Sequence, residues 1–350
     1  MEFNYQNLLP GVPLIESPFF DKIAEEVWSG EDLRIAKDLN KNGYSIINLN
    51  DADLLSCISG IKEDYINKYN WKDFQSLNDG SLRVQDAWQD DDRVKKIATN
   101  TYVNSLLSRL YGKQAFPFQT LNFPIGTEQA SHSDHIHFSS LPEMFMCGVW
   151  IAFEDVDAEN GPLFYYPGSH KWKSYANEHI GVSGFQIGNA YDHYGKYVEL
   201  WEAIAQAHGV EREFFHAKAG EALIWCSNLV HGGGRRHDRS RTRWSQVTHY
   251  FFHGCSYTSP IANDINQGQI YFRNVTDISQ NVTVRNSISG FNVNQNTIDL
   301  LLPPCFKGTA LPRDFNEKRY LEIHLDVAIS GSSAKEHYLN FGRAEGRAYK

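Results

Sequence analysis

Three residues in this chain have the types and spacing of a metal grip. His132-Ser133-Asp134 is a histidine and a carboxylate two residues apart, and His231 follows far downstream in IWCSNLVHGGG. Two imidazoles and one carboxylate can hold one face of a ferrous ion and leave its other positions open for a bidentate keto acid and dioxygen. On an extended strand, residues i and i+2 project to one side, so His132 and Asp134 can grip one ion together. His231 must then arrive from a distant strand, for which Ala222–Val230 is the candidate. Arg243 lies shortly after His231, and its planar fork suits the far carboxylate of an anionic co-substrate such as 2-oxoglutarate. Ser245 completes an Arg-x-Ser pair that an extended strand would place on one face. Alternatives stay open on the residues alone. His135 and His137 offer a second register, with Asp134 outside the ligand set. Arg241 competes with Arg243 if a strand already begins there, and Arg235, Arg236 and Arg239 crowd the same loop, read here as a solvated hairpin.

The surrounding text narrows the choice. QTLNFPIGTEQASH runs into SDHIHF, then MCGVWIAFEDVDAENGPLFYYPGSHKW, and later TRWSQVTHYFF. From about Gly43 to about Phe252 the chain resembles the phytanoyl-CoA dioxygenase family of iron(II)/2-oxoglutarate oxygenases. The resemblance implies a double-stranded β-helix, or jelly roll, with the metal at one mouth. It implies His132, Asp134 and His231 as iron ligands and Arg243 as the 2-oxoglutarate anchor. Trp150 matches a tryptophan that flanks the co-substrate in relatives. Where many relatives carry a hydroxyl residue two after the distal histidine, this chain has Gly233, and Ser245 or Gln119 is expected to compensate. Related halogenases replace the carboxylate with a small residue that leaves room for chloride. Asp134 fills that position here, which favours hydroxylation or a related oxidation. The NGPL and PGSHK text is read as scaffold, with Tyr165 and Lys171 the candidates there for touching substrate.

Positioning elements follow from periodicity and punctuation. Glu31–Asn42 reads as a helix stopped by Gly43, Tyr44–Leu49 as a strand, and Asp51 as the cap of a helix reaching Tyr69. Asp91–Tyr111 reads as one helix stopped by Gly112. Between Phe116 and Phe252, short apolar or alternating runs bounded by Gly, Pro, Asn and Asp predict strands at Phe116–Phe123, Cys147–Phe153, Leu163–Tyr166, Ala222–Trp225 and Gln246–Phe252, with one helix over Tyr197–His208. Periodicity alone gives antiparallel β with flanking helices; the resemblance sharpens this to a mainly β jelly roll, core about 113–255, inside an oxygenase domain of 1–300. The polar stretch Asn263–Gly290 is expected to cover the barrel mouth or pack outside it. Beyond the prolines at 303, 304 and 312, residues 313–350 read as a small appended module of two helices, Glu317–Ser330 and Ser333–Phe341, with Ser333 and Glu336 as a capping box. It could mediate oligomer formation.

Composition sets the outer bounds. At 350 residues the chain can bury a large core. Its net charge of −9 argues against nonspecific nucleic-acid binding. Five scattered cysteines with no CxxC predict free thiols in a reducing compartment. No signal-peptide pattern or apolar run of transmembrane length is visible, so the expectation is a cytoplasmic protein without membrane contact. Three functions compete: an iron(II)/2-oxoglutarate dioxygenase acting on a small-molecule substrate with molecular oxygen, a catalytically silent jelly-roll binding module for glycans, and a zinc hydrolase suggested by HSDHIH. Zinc hydrolysis gives Arg243 no role, and an intact triad argues against silence. The sequence does not name the substrate.

Overall fold

Strand alternation divides the apolar side chains between two cores, and this division places the site. In the computed structural model, residues 3–49, 51–66, 83–182, 193–265, 268–288, 290–294, 311, 315–330, 333–342 and 347–349 are described. The main sheet is antiparallel, in the order β1 (Tyr44–Asn48), β8 (Glu221–Cys226), β5 (Met146–Ala152), β10 (Ser245–Phe252), β3 (Ala115–Phe123), β2 (Val84–Gln85). A smaller sheet runs β7 (Glu213–Phe215), β6 (Leu163–Tyr165), β9 (His231–Gly233), and β4 (Ser139–Leu141) pairs with β11 (Ser256–Thr258). On β8, Ala222, Ile224 and Cys226 point to one core while Leu223 and Trp225 point to the other. The first core packs against helices. The second joins Phe123, Trp150 and Val247 of the main sheet to Tyr165 and Phe215 of the small one. Two facing antiparallel sheets of this kind are the expected jelly roll.

The helices cover the outer face of the main sheet. They are α1 (Phe20–Val27), α2 (Gly30–Asn42), α3 (Leu54–Ile66), α4 (Asp92–Ala98) and α5 (Thr101–Tyr111). Gly43 ends α2 with φ 83°, a left-handed conformation that glycine adopts without steric cost. Two boundaries differ from the sequence reading. Asp51 accepts from the Asp53 backbone N–H at 2.9 Å in a turn ahead of α3, which starts only at Leu54; the stretch expected to carry this helix to Tyr69 lies outside the described residues. The single helix expected over Asp91–Tyr111 is two, because Asn100 breaks it. The Asn100 side chain accepts from the Val103 N–H at 3.0 Å and donates to the Leu49 carbonyl at 3.3 Å. An asparagine that can cap a new helix competes with continuing the old one.

Of the remaining elements, α6 (Tyr194–His208) lies beside the small sheet, and β12 (Val275–Asp277) pairs with β13 (Val282–Val284). The C-terminal segment forms α7 (Glu317–Ile323), α8 (Leu325–Ser330) and α9 (Ala334–His337), the last running into a π-helical turn at Tyr338–Gly342. The expected first helix divides at His324, whose non-helical backbone lets its Nε2 meet the Ala348 carbonyl at 2.7 Å. Tyr320, Val327, Ala334 and Tyr338 make a separate small apolar cluster, while Ile329 packs on the main core. The Glu336 side chain of the expected capping box lies outside the described residues. Cys57, Cys147, Cys226 and Cys255 are buried free thiols, and Cys305 lies outside the described residues. Among the described residues no helix is long and apolar enough to cross a membrane. Asn100→Ala removes both of its contacts and is expected to cost about 1–2 kcal/mol; a urea titration should show a lower midpoint with an unchanged slope.

Candidate metal and co-substrate site

His132 and His231 meet as a backbone pair. Each donates its N–H to the other's carbonyl at 2.9 Å, an antiparallel bridge that extends the small sheet by one residue. Directly opposed residues project side chains to the same face, and the two imidazole centroids lie 4.3 Å apart. His231 therefore comes from β9 in the small sheet, not from the strand that carries Ala222. Asp134 opens a short 3₁₀ turn, Asp134–Ile136, so the expected continuous strand through 132–134 is absent. Ser133, after the bridged His132, is extended at φ −117° and ψ 132°, and that suffices to put His132 and Asp134 on one side. His132 Nε2 lies 3.8 Å from Asp134 Oδ1, and His231 Nε2 lies 3.9 Å from Asp134 Oδ2. One ligand atom from each residue falls within 4.8 Å of the others, a cluster able to hold a metal ion.

The neighbours orient all three groups. His132 Nδ1 lies 3.0 Å from the Ala130 carbonyl and His231 Nδ1 lies 2.9 Å from the Leu229 carbonyl. A carbonyl only accepts, so each Nδ1 carries the proton and each Nε2 is left bare toward Asp134. Trp225 Nε1 donates to Asp134 Oδ2 at 2.8 Å. Its ring can lie there because its cross-strand partner is Gly148, where a Cβ would collide with the indole. His249, from β10, stands 3.6 Å from Asp134 Oδ2, and its Nδ1 meets Gln119 Oε1 at 3.0 Å. Burial alone would raise the Asp134 carboxyl. The nearby His231 and His249 outweigh burial and hold it below the usual carboxylate range. Burial, with His231 close by, pushes the His132 imidazole down to about 3, so it is neutral and available as a donor at neutral pH.

A cavity of about 460 Å³ opens from these residues between the sheets. Arg243 lies in its wall, 1 % exposed, with its guanidinium 5.2 Å from the Trp150 ring and Nη1 donating to Ser245 Oγ at 2.8 Å. It makes no ion pair among the described residues, and its Nε and the Trp150 Nε1 are buried without a hydrogen-bond partner. Burial pushes the Arg243 guanidinium down to about 10, so it remains charged at neutral pH. A buried cation next to orphaned donors is the environment an anionic ligand would complete. Gln119, Trp150, Arg243, His132, Asp134 and His231 all line this cavity; Ser245 sits behind Arg243.

The competing residues go elsewhere. Arg241 is partly exposed and pairs with Asp157 at 2.9 Å. Arg239 pairs with Glu128 at 3.0 Å, and Arg236 is wholly buried beside the same carboxylate, so the expected solvated hairpin is in part a packed one. His135 is buried off the cavity, 3.3 Å from Ser139 Oγ, whereas His137 lines the cavity with Tyr194. Burial pushes His137 down to about 4; Asp134 opposes this, and Arg273 and Arg83 add to it. Tyr165 is spent on the inter-sheet core against Tyr44. A Cβ on Gly233 would lie 2.7 Å from Thr127 Oγ1, so a hydroxyl side chain has no space there and the hydroxyl at this point of the wall belongs to Thr127. Trp225, His249 and Thr127 escaped the sequence reading. The alternation Ser245, Val247, His249 along one strand face was the signal that could have found the second.

Compared with known protein families, residues 62–243 match the model for phytanoyl-CoA dioxygenase, just over half of the chain. The chain belongs to this family. No curated protein matches it. Among solved structures, the family member described here is similar to the α-ketoglutarate-dependent carbocyclase SnoK from nogalamycin biosynthesis, at 18 % identity over 67 % of this chain and 88 % of that one, TM-score 0.49. It is similar to the α-ketoglutarate-dependent epimerase SnoN from the same biosynthesis, at 19 % identity over 65 % and 84 %, TM-score 0.45. It is also similar to EctD from S. alaskensis with 2-oxoglutarate and 5-hydroxyectoine, at 17 % identity over 64 % and 78 %, TM-score 0.47.

In this family member Trp225 donates its indole N–H to Asp134, which makes it a direct test of the cluster. Trp225→Phe keeps most of the ring and loses the hydrogen bond. Losing such an outer partner is expected to weaken iron(II) affinity about 10- to 100-fold. An anaerobic iron titration with unchanged affinity would mean that Asp134 needs no such support.

Proposed function

We propose that this phytanoyl-CoA dioxygenase family member is an iron(II)- and 2-oxoglutarate-dependent dioxygenase that hydroxylates, or otherwise oxidises, a small-molecule substrate. One observation carries the reading: a His132–Asp134–His231 donor set shares a partly enclosed cavity with a buried Arg243 that makes no ion pair among the described residues. When bound, iron(II) and 2-oxoglutarate supply oxidation by molecular oxygen, with succinate and carbon dioxide released. Two imidazoles and one carboxylate suit iron(II) and leave positions for further ligands. His132 and His231 would hold the metal through Nε2, their Nδ1 protons being fixed on carbonyls. Asp134 would be the third ligand, held in place by Trp225. Its retention favours hydroxylation over halogenation.

Arg243 and Ser245 would receive the far carboxylate of 2-oxoglutarate, with Trp150 as a wall and Gln119 steadying His249. A zinc hydrolase gives the buried guanidinium no role, and a catalytically silent binding module gives none to the intact His132–Asp134–His231 set. Residues 1–300 are assigned as the oxygenase domain and 313–350 as an appended helical module.

His132→Ala and His231→Ala are each expected to abolish 2-oxoglutarate decarboxylation and weaken iron binding, while His135→Ala leaves iron binding intact; near wild-type decarboxylation in either of the first two would refute the triad. Arg243→Ala is expected to cost about 1.5–3 kcal/mol of co-substrate binding, roughly ten- to a hundredfold, at unchanged iron affinity. Arg241→Ala should change little, since its partner is a surface carboxylate. Anaerobic titrations of 2-oxoglutarate at fixed iron, followed by the visible charge-transfer band, separate the two. A chain ending at residue 312 is expected to fold and keep that band, because every assigned ligand precedes Phe252; insoluble protein would place the tail inside the core.

A further inference from the structure

The cavity has a second cationic end that the proposed metal and co-substrate residues do not use. Arg243 precedes β10, where Ser245 faces Phe123 at one end of the β3–β10 ladder. The segment Tyr271–Asn274 reaches the cavity from the other end: it leads into β12, whose following residue Ile278 bonds Pro117, near the start of β3. In that segment, Arg273 lies over the Phe138 ring at 4.8 Å and donates to Ser259 Oγ at 2.7 Å. Arg83 lines the same wall. Neither arginine makes an ion pair among the described residues, and Asp134, committed to the histidine cluster, is the lone carboxylate among the cavity-lining residues. Both arginines are close enough to His137 to act on its charge. Tyr194 and Tyr271 line the same cavity.

We infer that Arg83 and Arg273 form a recognition site for an anionic group, a carboxylate or a phosphate, on a substrate whose apolar or ring-bearing body lies along the aromatic wall. Two guanidiniums facing one partly enclosed space, with no counter-ion among the described residues, are mutually repulsive, and an anion relieves both repulsion and desolvation. The planar fork of each suits two oxygens of one group. Because the chain carries a net charge of −9, an anion would be drawn to the cavity by this local positive wall and not by the molecule as a whole. The inference rests on the proposed oxygenase reading only for the word substrate; the anion site itself follows from the wall.

The test uses matched probes on the full-length protein: 3-phenylpropionate against 3-phenylpropanamide, and phenyl phosphate against phenol. Each is titrated calorimetrically into protein loaded anaerobically with iron(II) and 2-oxoglutarate, and into protein without either. At least one acid should bind about tenfold or more tightly than its neutral mate, and which acid does so separates carboxylate from phosphate. Arg83→Gln and Arg273→Gln should each remove most of that preference, leaving the neutral probe and the 2-oxoglutarate affinity unchanged. Arg273→Lys, which keeps the charge, should retain part of it. Equal binding of acid and neutral probe in both pairs, or a preference that survives both glutamine variants, would overturn the site. Looser 2-oxoglutarate binding in Arg273→Gln would reassign the arginine to the co-substrate and also overturn it. Failure to bind iron with an arginine-dependent acid preference intact would instead sink the oxygenase reading and leave the anion site standing.

Discussion

The paired backbone hydrogen bonds between His132 and His231 join a loop that follows the main sheet to the edge of the small sheet. Everything proposed for the metal depends on that single bridge. It opposes two side chains far apart in sequence, and it does so with backbone atoms, which tolerate little drift. The carbonyls of Ala130 and Leu229, each two residues before its histidine, then take the Nδ1 protons. The same short stretches of chain thus fix both the position and the tautomer of each ring. Asp134 is reached by a single extended residue and is then locked from the opposite sheet by Trp225. The two sheets meet at this carboxylate, so the jelly roll and the donor cluster are one packing problem.

Gly148 shows how closely the two are tied. Its place on β5 is opposite Trp225 on β8, and only the missing side chain lets the indole lie across the sheet toward Asp134. On the outer face, Cys147 and Val149 join the helix-facing core. Gly233 plays a comparable part near Thr127: the glycine lets the backbone of β9 approach, and the threonine supplies the hydroxyl from another segment. In both places a small residue is the complement of a neighbour's polar group.

Much of this was legible in the sequence, for identifiable reasons. The strands from Phe116 to Phe252 carry apolar or alternating runs and turn punctuation, and the five strands expected from periodicity are found, although the extended run expected through 132–134 is not. The HxD pair, His231 and Arg243 stood out because the family resemblance selected them; an HxD alone occurs by chance in many chains, and their roles here are proposals. The break at Asn100 was missed because apolar spacing continues through it, while the capping side chain that interrupts the helix is a local polar competitor. Trp225 and His249 were missed for a different reason. Each sits at an ordinary inward position of a strand, where a sequence reads core, and only tertiary contact shows that their ring nitrogens face a carboxylate and an amide.

The arginines after His231 make the limit of sequence reading concrete. Arg236, Arg239, Arg241 and Arg243 are chemically equal in a one-dimensional text, and their separate fates are decided by carboxylates elsewhere in the chain. Glu128 takes Arg239 and lies beside Arg236, and Asp157 takes Arg241. Arg243 comes where the chain re-enters the sheet, beside Trp150 and in front of Ser245, with no ion pair among the described residues. Arg83 and Arg273 share that condition at the other end of the cavity. A fold that sets Arg236, Arg239 and Arg241 beside carboxylates, yet leaves three arginines lining one cavity, concentrates positive charge there, under full burial at Arg243 and half-buried at Arg83 and Arg273. An anion at each end would offset that cost, so the electrostatics on which the proposed co-substrate end rests are the same ones on which the proposed anion site rests.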